Sequence, residues 1–353
     1  MLKTNPIFII GAPRSGTSLL RVMLNRHPAI ALCDETYFFY YVYDRRGAFG
    51  DVAVDPNRRY LIKRYLATGR IRRLGLDTAE LSQKLMSEGG TYADLFASLL
   101  RFYAAAKGKV RFGEKTPQHA FFAEDLCALY PDCKILHITR DPRDVVVSLM
   151  QMPWGSRSAR VNARTWLACQ KAALKVAHRE NYLSVCYERL VDDAESELRR
   201  ICAFIGEEYT PAMVETRQPA AMDKWWFQRA QGAIERDRVA QWRGRLTTEQ
   251  VQVIESVVGK HLEECGYRRA TAGCPPLVQA AAIAEQVRCF ITERLRRFPR
   301  YIYYWMFPTR AAAEESWLER PISGWTLGRV KGPEPPIPVR MPSPPPAPRS
   351  PST

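Results

Sequence analysis

Residues 6–24 read PIFIIGAPRSGTSLLRVML. An apolar run is followed by a short loop with two glycines. Leu19, Leu20, Met23 and Leu24 then recur at helical spacing, so the segment reads as a strand, a tight turn and an amphipathic helix. Short β-rich runs alternate with helical patterns farther along. The clearest strands are 6–11, 133–139 and 182–187, each followed by a helical stretch, roughly 16–26, 142–151 and 193–205. Segments 57–108 and 160–180 read as further helices, and the Arg-rich stretch 58–73 as an exposed helix face in preference to a mobile lid. There is no internal repeat. This alternation predicts an α/β fold, with a central, mainly parallel sheet flanked by helices. The 353 residues are enough for one large domain of this kind or two smaller ones.

The loop after the first strand has the chemistry of an anion site. N–H groups at a helix start, together with the helix dipole, attract a phosphate. Gly11 and Gly16 let the backbone close on it, and Ser15, Gly16, Thr17 and Ser18 are the candidate ligands. The spacing follows G-x-x-x-x-G-K-[ST] with one departure, because Thr17 stands where the lysine should be. That lysine serves the β- and γ-phosphates of a nucleoside triphosphate. A donor with a single 5′-phosphate has less need of it.

A second candidate site lies at residues 134–149, KILHITRDPRDVVVSL. A strand ends at Arg140, Asp141 is a suitable N-cap and Pro142 a suitable first helical residue. Arg140 and Ser148, eight positions apart, can converge on one phosphate, the arginine as a charged fork and the serine through its hydroxyl. The spacing alone leaves an ordinary helix N-terminus with a salt bridge equally open.

Together these segments resemble the sulfotransferase family, closest to its tyrosylprotein and bacterial branch. PIFIIGAPRSGTSLLRVMLNRHP is similar to that family's 5′-phosphosulfate loop, including His27-Pro28 and the Asp34-Glu35-Thr36 that follows. The resemblance covers about residues 6–268 and implies a P-loop-like sulfotransferase fold. Its donor would be 3′-phosphoadenosine 5′-phosphosulfate (PAPS), with 3′-phosphoadenosine 5′-phosphate (PAP) as product and no metal. By the same resemblance Arg140 and Ser148 hold the 3′-phosphate, and the tyrosine of Val185-Cys186-Tyr187-Glu188-Arg189-Leu190 lines the nucleotide. Trp242-Arg243 resembles the end of a nucleotide-covering loop, here Ile234–Gln241, in which Arg236 is the candidate contact and Arg238 its alternative. Glu35 stands where the tyrosylprotein branch has its catalytic glutamate. Lys115, in a Lys-Thr-Pro segment, and Arg14 resemble groups that stabilise the leaving phosphate, and Glu114 would orient Lys115. His119 is an alternative base.

Composition adds partners without choosing among them. The formal net charge is +15, from 52 Lys and Arg against 37 Asp and Glu. That surplus favours anionic partners. Nine scattered cysteines, none in a C-x-x-C pair, predict reduced thiols and a cytoplasmic setting. The chain enters its first strand almost at once, so no signal peptide or anchor is expected, and no apolar stretch reaches the length of a membrane span.

Three regions are expected: a catalytic domain at 1–272, a helical and aromatic extension at 273–330, and a Pro-rich, disordered tail at 331–353. The helical pattern of the extension runs to about Phe298 and is followed by the aromatic run Tyr301–Phe307. It suits docking on the domain, a homodimer contact, or peripheral attachment to an anionic membrane, at the inner face, through 275–310.

Two other function classes compete. A P-loop kinase predicts a Walker lysine and magnesium ligands, neither of which the sequence offers. A non-catalytic binder of anionic glycan or lipid accounts for the charge but not for the Arg14, Glu35, Lys115, Arg140 and Ser148 set. The expected acceptor is a carbohydrate, glycolipid or small-metabolite hydroxyl, with a protein tyrosine less favoured and nucleic acid not expected.

Overall fold

A computed structural model describes residues 5–215 and 236–306, and for residues 293–306 the backbone alone. Five strands form one sheet: β1 (Ile7–Gly11), β2 (Ile30–Cys33), β3 (Arg111–Lys115), β4 (Lys134–Thr139) and β5 (Tyr182–Cys186). Their order is β2-β3-β1-β4-β5 and every neighbouring pair is parallel. Parallel strands need helical crossovers on both faces, so both faces are buried. Alternation along β1 shows it. Phe8 and Ile10 join one core with Phe112 and Ile135, while Ile7 and Ile9 join the other with Leu32, Leu136 and Ile138.

The three expected strands form within a residue of their expected ends. β2 and β3 were not anticipated, for different reasons. β2 is four residues long, hidden in the turn after His27-Pro28. β3 reads Arg-Phe-Gly-Glu-Lys, a polar string with a glycine, and yet all five residues are buried. Its charges are tolerated because each is paired. Arg111 donates to Glu207 Oε1 at 3.2 Å, and Glu114 and Lys115 enter networks described below. Gly113 is dictated by the close approach of β1, since a Cβ there would lie 1.9 Å from the Ile7 carbonyl oxygen.

Helices follow the expected pattern at Thr17–Asn25, Pro142–Met150, Ala159–Leu174 and Ala194–Ile205. The 57–108 stretch resolves into four, Asp55–Leu66, Gly69–Arg72, Thr78–Glu88 and Tyr92–Ala106. Asp77 caps the third, and a Thr91/Asp94 capping box starts the fourth.

The extension departs from its expected layout. One helix runs Pro276–Met306, through Pro299 and the first six residues of the aromatic run. It packs on the helices Ala159–Leu174 and Thr248–Val258, and Arg160 Nε donates to Gln286 Oε1 at 3.0 Å. Leu277, Ile283, Val287 and Ile291 are exposed. No helix among the described residues is long and apolar enough to cross a membrane. Phe307 and the Pro-rich tail lie outside the described residues, as do Ile234 and Glu235 of the expected covering loop.

Candidate active site

In a parallel sheet all strands end on the same edge, and ligands bind outside those carboxyl ends. Here each of the five ends delivers a residue singled out in the sequence. β1 leads into the loop Ala12–Gly16, β2 into Asp34 and Glu35, β3 ends at Lys115, β4 leads into Arg140 and β5 into Tyr187. The strand order puts Glu35 and Lys115 on one side of the phosphate loop and Arg140 and Tyr187 on the other. With strands spaced about 4.8 Å apart, the strands carrying Glu35 and Arg140 are roughly 14 Å from each other.

The phosphate loop is held by its neighbours. Gly16 precedes the helix in a left-handed conformation (φ 97°), and no side chain caps the first turn. Its missing Cβ makes room for Tyr187, whose ring would lie 2.3 Å from that atom. Arg14 also has a positive φ (73°), a conformation costing of order 1–3 kcal/mol outside glycine. Ser15 is fully buried, and its Oγ finds no partner among the described residues. Thr17 is buried and Ser18 half-buried. A buried hydroxyl without a partner beside uncapped amides fits a phosphate arriving there.

On the β4 side, Arg140 gathers several segments. Its Nη1 donates to the Arg14 carbonyl oxygen at 3.3 Å and its Nη2 to the Arg238 carbonyl oxygen at 2.6 Å. The guanidinium lies 4.4 Å from the centre of the Tyr187 ring, and Nε is buried without a partner among the described residues. Ser148, on the helix that starts at Pro142, accepts from Arg14 Nε at 3.0 Å. Through Nε, Arg14 thus meets the helix on the Arg140 side. Trp166 Nε1 donates to the Arg140 carbonyl oxygen at 3.1 Å and fixes the strand end.

The segment at 236–242 is anchored by Asp144. This buried carboxylate accepts from the backbone N–H of Ala240 at 2.8 Å and of Trp242 at 2.9 Å. Burial pushes its pKa up, against the pull of nearby Arg140. Arg236 faces elsewhere, donating through Nη2 to the Asp192 carbonyl oxygen at 2.6 Å, so the segment meets Arg140 through the backbone of Arg238. Neither Asp144 nor this backbone contact was anticipated. The Asp-Pro-Arg-Asp run after Arg140 is the only local sign of it.

The β2–β3 side is a closed charge cluster. Glu35 Oε1 accepts from Lys115 Nζ at 2.8 Å, and Glu35 Oε2 accepts from Arg70 Nη1 at 2.9 Å. Asp34 Oδ1 is also 2.8 Å from Lys115 Nζ. Burial would raise the Asp34 pKa, but Lys115 and Arg21 outweigh it and hold the carboxyl well below its usual range. Lys115 is the last residue of β3 and fully buried, in place of the loop lysine expected from sequence. A buried ammonium is affordable here because two carboxylates face it.

Glu114 does not orient Lys115. Strand alternation sends it to the opposite face, where Oε1 accepts from Thr36 N at 2.7 Å, Thr36 Oγ1 at 2.6 Å and Thr116 Oγ1 at 2.6 Å. Its Oε2 lies 2.9 Å from His119 Nδ1. Burial opposes its ionisation, yet His119 and these donors leave its pKa below the usual value. Glu114 thus clamps the residue next to Glu35. His119 is buried among Phe39, Phe96 and Phe122, against Glu114. Arg70 was missed because it sits in the Arg-rich stretch read as an exposed face. It turns inward, stacking 4.3 Å from the centre of the Tyr37 ring.

Comparison with known proteins bears on the family and the fold. Nodulation protein NoeE of Sinorhizobium fredii is 28% identical over 325 residues, covering 82% of this chain and 71% of that protein. Protein-tyrosine sulfotransferase 2 of Gallus gallus is 28% identical over 209 residues, covering 57% of this chain and 50% of that protein. This chain therefore spans about half the length of the latter. Among solved structures, a sulfotransferase domain from the curacin biosynthetic pathway shares the fold with a TM-score of 0.50 at 18% identity, over 76% of this chain and 99% of that one. The sequence profile described as the Sulfotransferase family matches residues 6–211, more than half of the chain, and the protein belongs to that family.

Proposed function

We propose that the protein transfers a sulfuryl group from PAPS to an acceptor hydroxyl of a carbohydrate, glycolipid or small metabolite, releasing PAP. The observation that carries this reading is the division of the strand-end edge. A phosphate loop is flanked on one side by Arg140, Ser148 and Tyr187, and on the other by Glu35 and Lys115. Two phosphate-binding corners suit a nucleotide phosphorylated at both ends better than they suit ATP. Thr17 in place of a Walker lysine points the same way.

In this reading Arg140 and Ser148 hold the 3′-phosphate, and Ser15, Gly16, Thr17 and Ser18 hold the 5′-phosphate. Arg14, bonded to Ser148, would bridge the two corners. Glu35 takes the proton from the acceptor hydroxyl as its oxygen bonds to sulfur. The bond from sulfur to the 5′-phosphate oxygen breaks, and Lys115 stabilises the charge left on that oxygen. Such a transfer is governed by positioning and electrostatics, as in phosphoryl transfer. The reading requires no metal.

The test is a binding comparison of PAP, AMP and ATP with magnesium, followed by an acceptor screen that monitors PAP release and identifies products by mass. PAP should bind at least about tenfold more tightly than AMP, a difference of ~1.4 kcal/mol. Equal affinity for PAP and AMP would remove the second phosphate site. Tighter binding of ATP with magnesium would favour the kinase.

A further inference from the structure

Glu35 can act as a base only through an oxygen that is available to the acceptor's proton. Both of its oxygens accept from cations, Lys115 at 2.8 Å and Arg70 at 2.9 Å. Each oxygen keeps a second lone pair, so the two cations crowd the carboxylate without filling it, and the two contacts are not equivalent. Lys115 has no exposed side-chain surface and is also held by Asp34, whereas Arg70 is 24% exposed and lies on the solvent side of Glu35.

Arg70 is also supported independently of Glu35. It stacks on the Tyr37 ring and hydrogen-bonds to Tyr41, so it can leave the carboxylate and keep partners. The single-turn helix Gly69–Arg72 that carries it is docked by buried Ile71 and by Thr68 Oγ1, which donates to the Tyr65 carbonyl oxygen at 2.7 Å. Tyr65 OH in turn donates to the Thr36 carbonyl oxygen at 3.2 Å. Glu114 holds the other side of Thr36, and Tyr37 sits at φ 54°. The backbone around Glu35 is thereby fixed from both sides, and the side-chain contact to Arg70 is the part that can move.

We propose that Arg70 is a positioning residue that latches Glu35, keeping the carboxylate charge-paired until an acceptor displaces the guanidinium. This rests on the reading of Glu35 as the base. The latch suppresses transfer to water. In that side reaction a water oxygen bonds to the sulfur of PAPS, the bond from sulfur to the phosphate oxygen breaks, and inorganic sulfate and PAP leave. The proton lost by water goes to Glu35. With Arg70 in place, the guanidinium occupies the approach to Glu35 Oε2 that the water would use.

The experiment measures PAP release from PAPS without any acceptor, and PAP affinity as the check on folding. R70M should raise the hydrolysis rate by about tenfold, less than the ~10²–10⁴ that a general base commands in full. PAP affinity should stay within about twofold, because Arg70 is remote from Arg140. R70K, which keeps a cation, should return hydrolysis most of the way to the native rate. The rise should vanish in the double variant E35Q/R70M. Should R70M fail to fold, R70Q retains a hydrogen bond without the charge and should show the same rise. Unchanged or slower hydrolysis in a folded R70M or R70Q overturns the latch. A rise that survives in E35Q/R70M overturns its action through Glu35. The transferase reading itself fails separately, if the native protein neither binds PAP nor releases it from PAPS.

Discussion

The two sides of the phosphate loop spend their cations differently. On the β4 side, Arg140 donates to two neutral carbonyl oxygens and stacks on Tyr187. The nearest carboxylate, Asp144, is 3.8 Å from Arg140 and bonded to two backbone amides. On the β2 side, Lys115 and Arg70 face Asp34 and Glu35 and are neutralised by them. A cation on neutral acceptors can exchange them for a phosphate at small cost, gaining a charge-assisted bond. A cation in a buried ion pair cannot be withdrawn without leaving its partner's charge exposed in a low dielectric. In the reading proposed above, the first corner can receive an anion as it stands, and the second has to rearrange first.

The largest expected effect comes from Glu35. If the β2 side is the chemical side, E35Q lowers turnover by ~10²–10⁴ and leaves PAP affinity within about twofold. Steady-state PAP release and calorimetric PAP binding measure the two. Near-native turnover would erase the distinction between the corners.

Arg140 sharpens the other half. A hydrogen bond to a charged group contributes about 1.5–3 kcal/mol, so R140M should weaken PAP binding by roughly ten- to a hundredfold and leave AMP nearly unchanged. S148A should act in the same direction with a smaller loss. A uniform loss for PAP and AMP would place Arg140 at the 5′-phosphate.

Gly16 tests the hinge between the corners. A methyl there meets the Tyr187 ring at 2.3 Å and the backbone has φ 97°, so G16A should cost ~1–3 kcal/mol in a denaturant titration. The companion G16A/Y187A removes the ring and should recover part of that cost. No loss in G16A would mean that the loop is less tightly packed than the contact implies.

Acid separates the corners by sign. Asp34 and Glu114 have pKa values below those of unfolded carboxylates, so the stability they contribute is complete above the unfolded range and falls as pH drops through their folded values. Melting temperature should therefore decline below about pH 4, and E114Q should flatten that decline. Asp144 has a raised pKa and loses no such stability in acid, so D144N should leave the decline as it is. A decline flattened by D144N and not by E114Q would reverse the assignment.

How much of this was legible follows from how the information is carried. The loop after β1, the strand end at Arg140 and the turn at Tyr187 were readable as backbone features because each sits at a junction between a strand and a helix encoded by neighbouring residues. β3 was not, because paired charges made a buried strand look like a polar loop. Arg70 was indistinguishable from Arg72, two positions away, which turns to the Ala67 carbonyl oxygen at 2.8 Å. The direction of Glu114 depended on assigning β3 as a strand, after which alternation alone sends it away from Lys115. The continuous helix through Pro299 defied the usual reading of proline as a helix stop.

The sequence by itself determined that a Gly-containing loop follows an apolar strand, that a triphosphate lysine is absent from it, and that an arginine ends a later strand. These are properties of short, contiguous backbone, set by glycine conformations, helix starts and hydrophobic periodicity. Tertiary structure alone decided that Lys115 meets Glu35 across 80 residues and Arg70 meets it across 35. Those contacts exist because β3 is inserted between β2 and β1, and because Tyr65 docks the Arg70 turn onto Thr36. Neither fact is written in any local stretch of chain, since strand order and helix docking are chosen by the burial of the whole core.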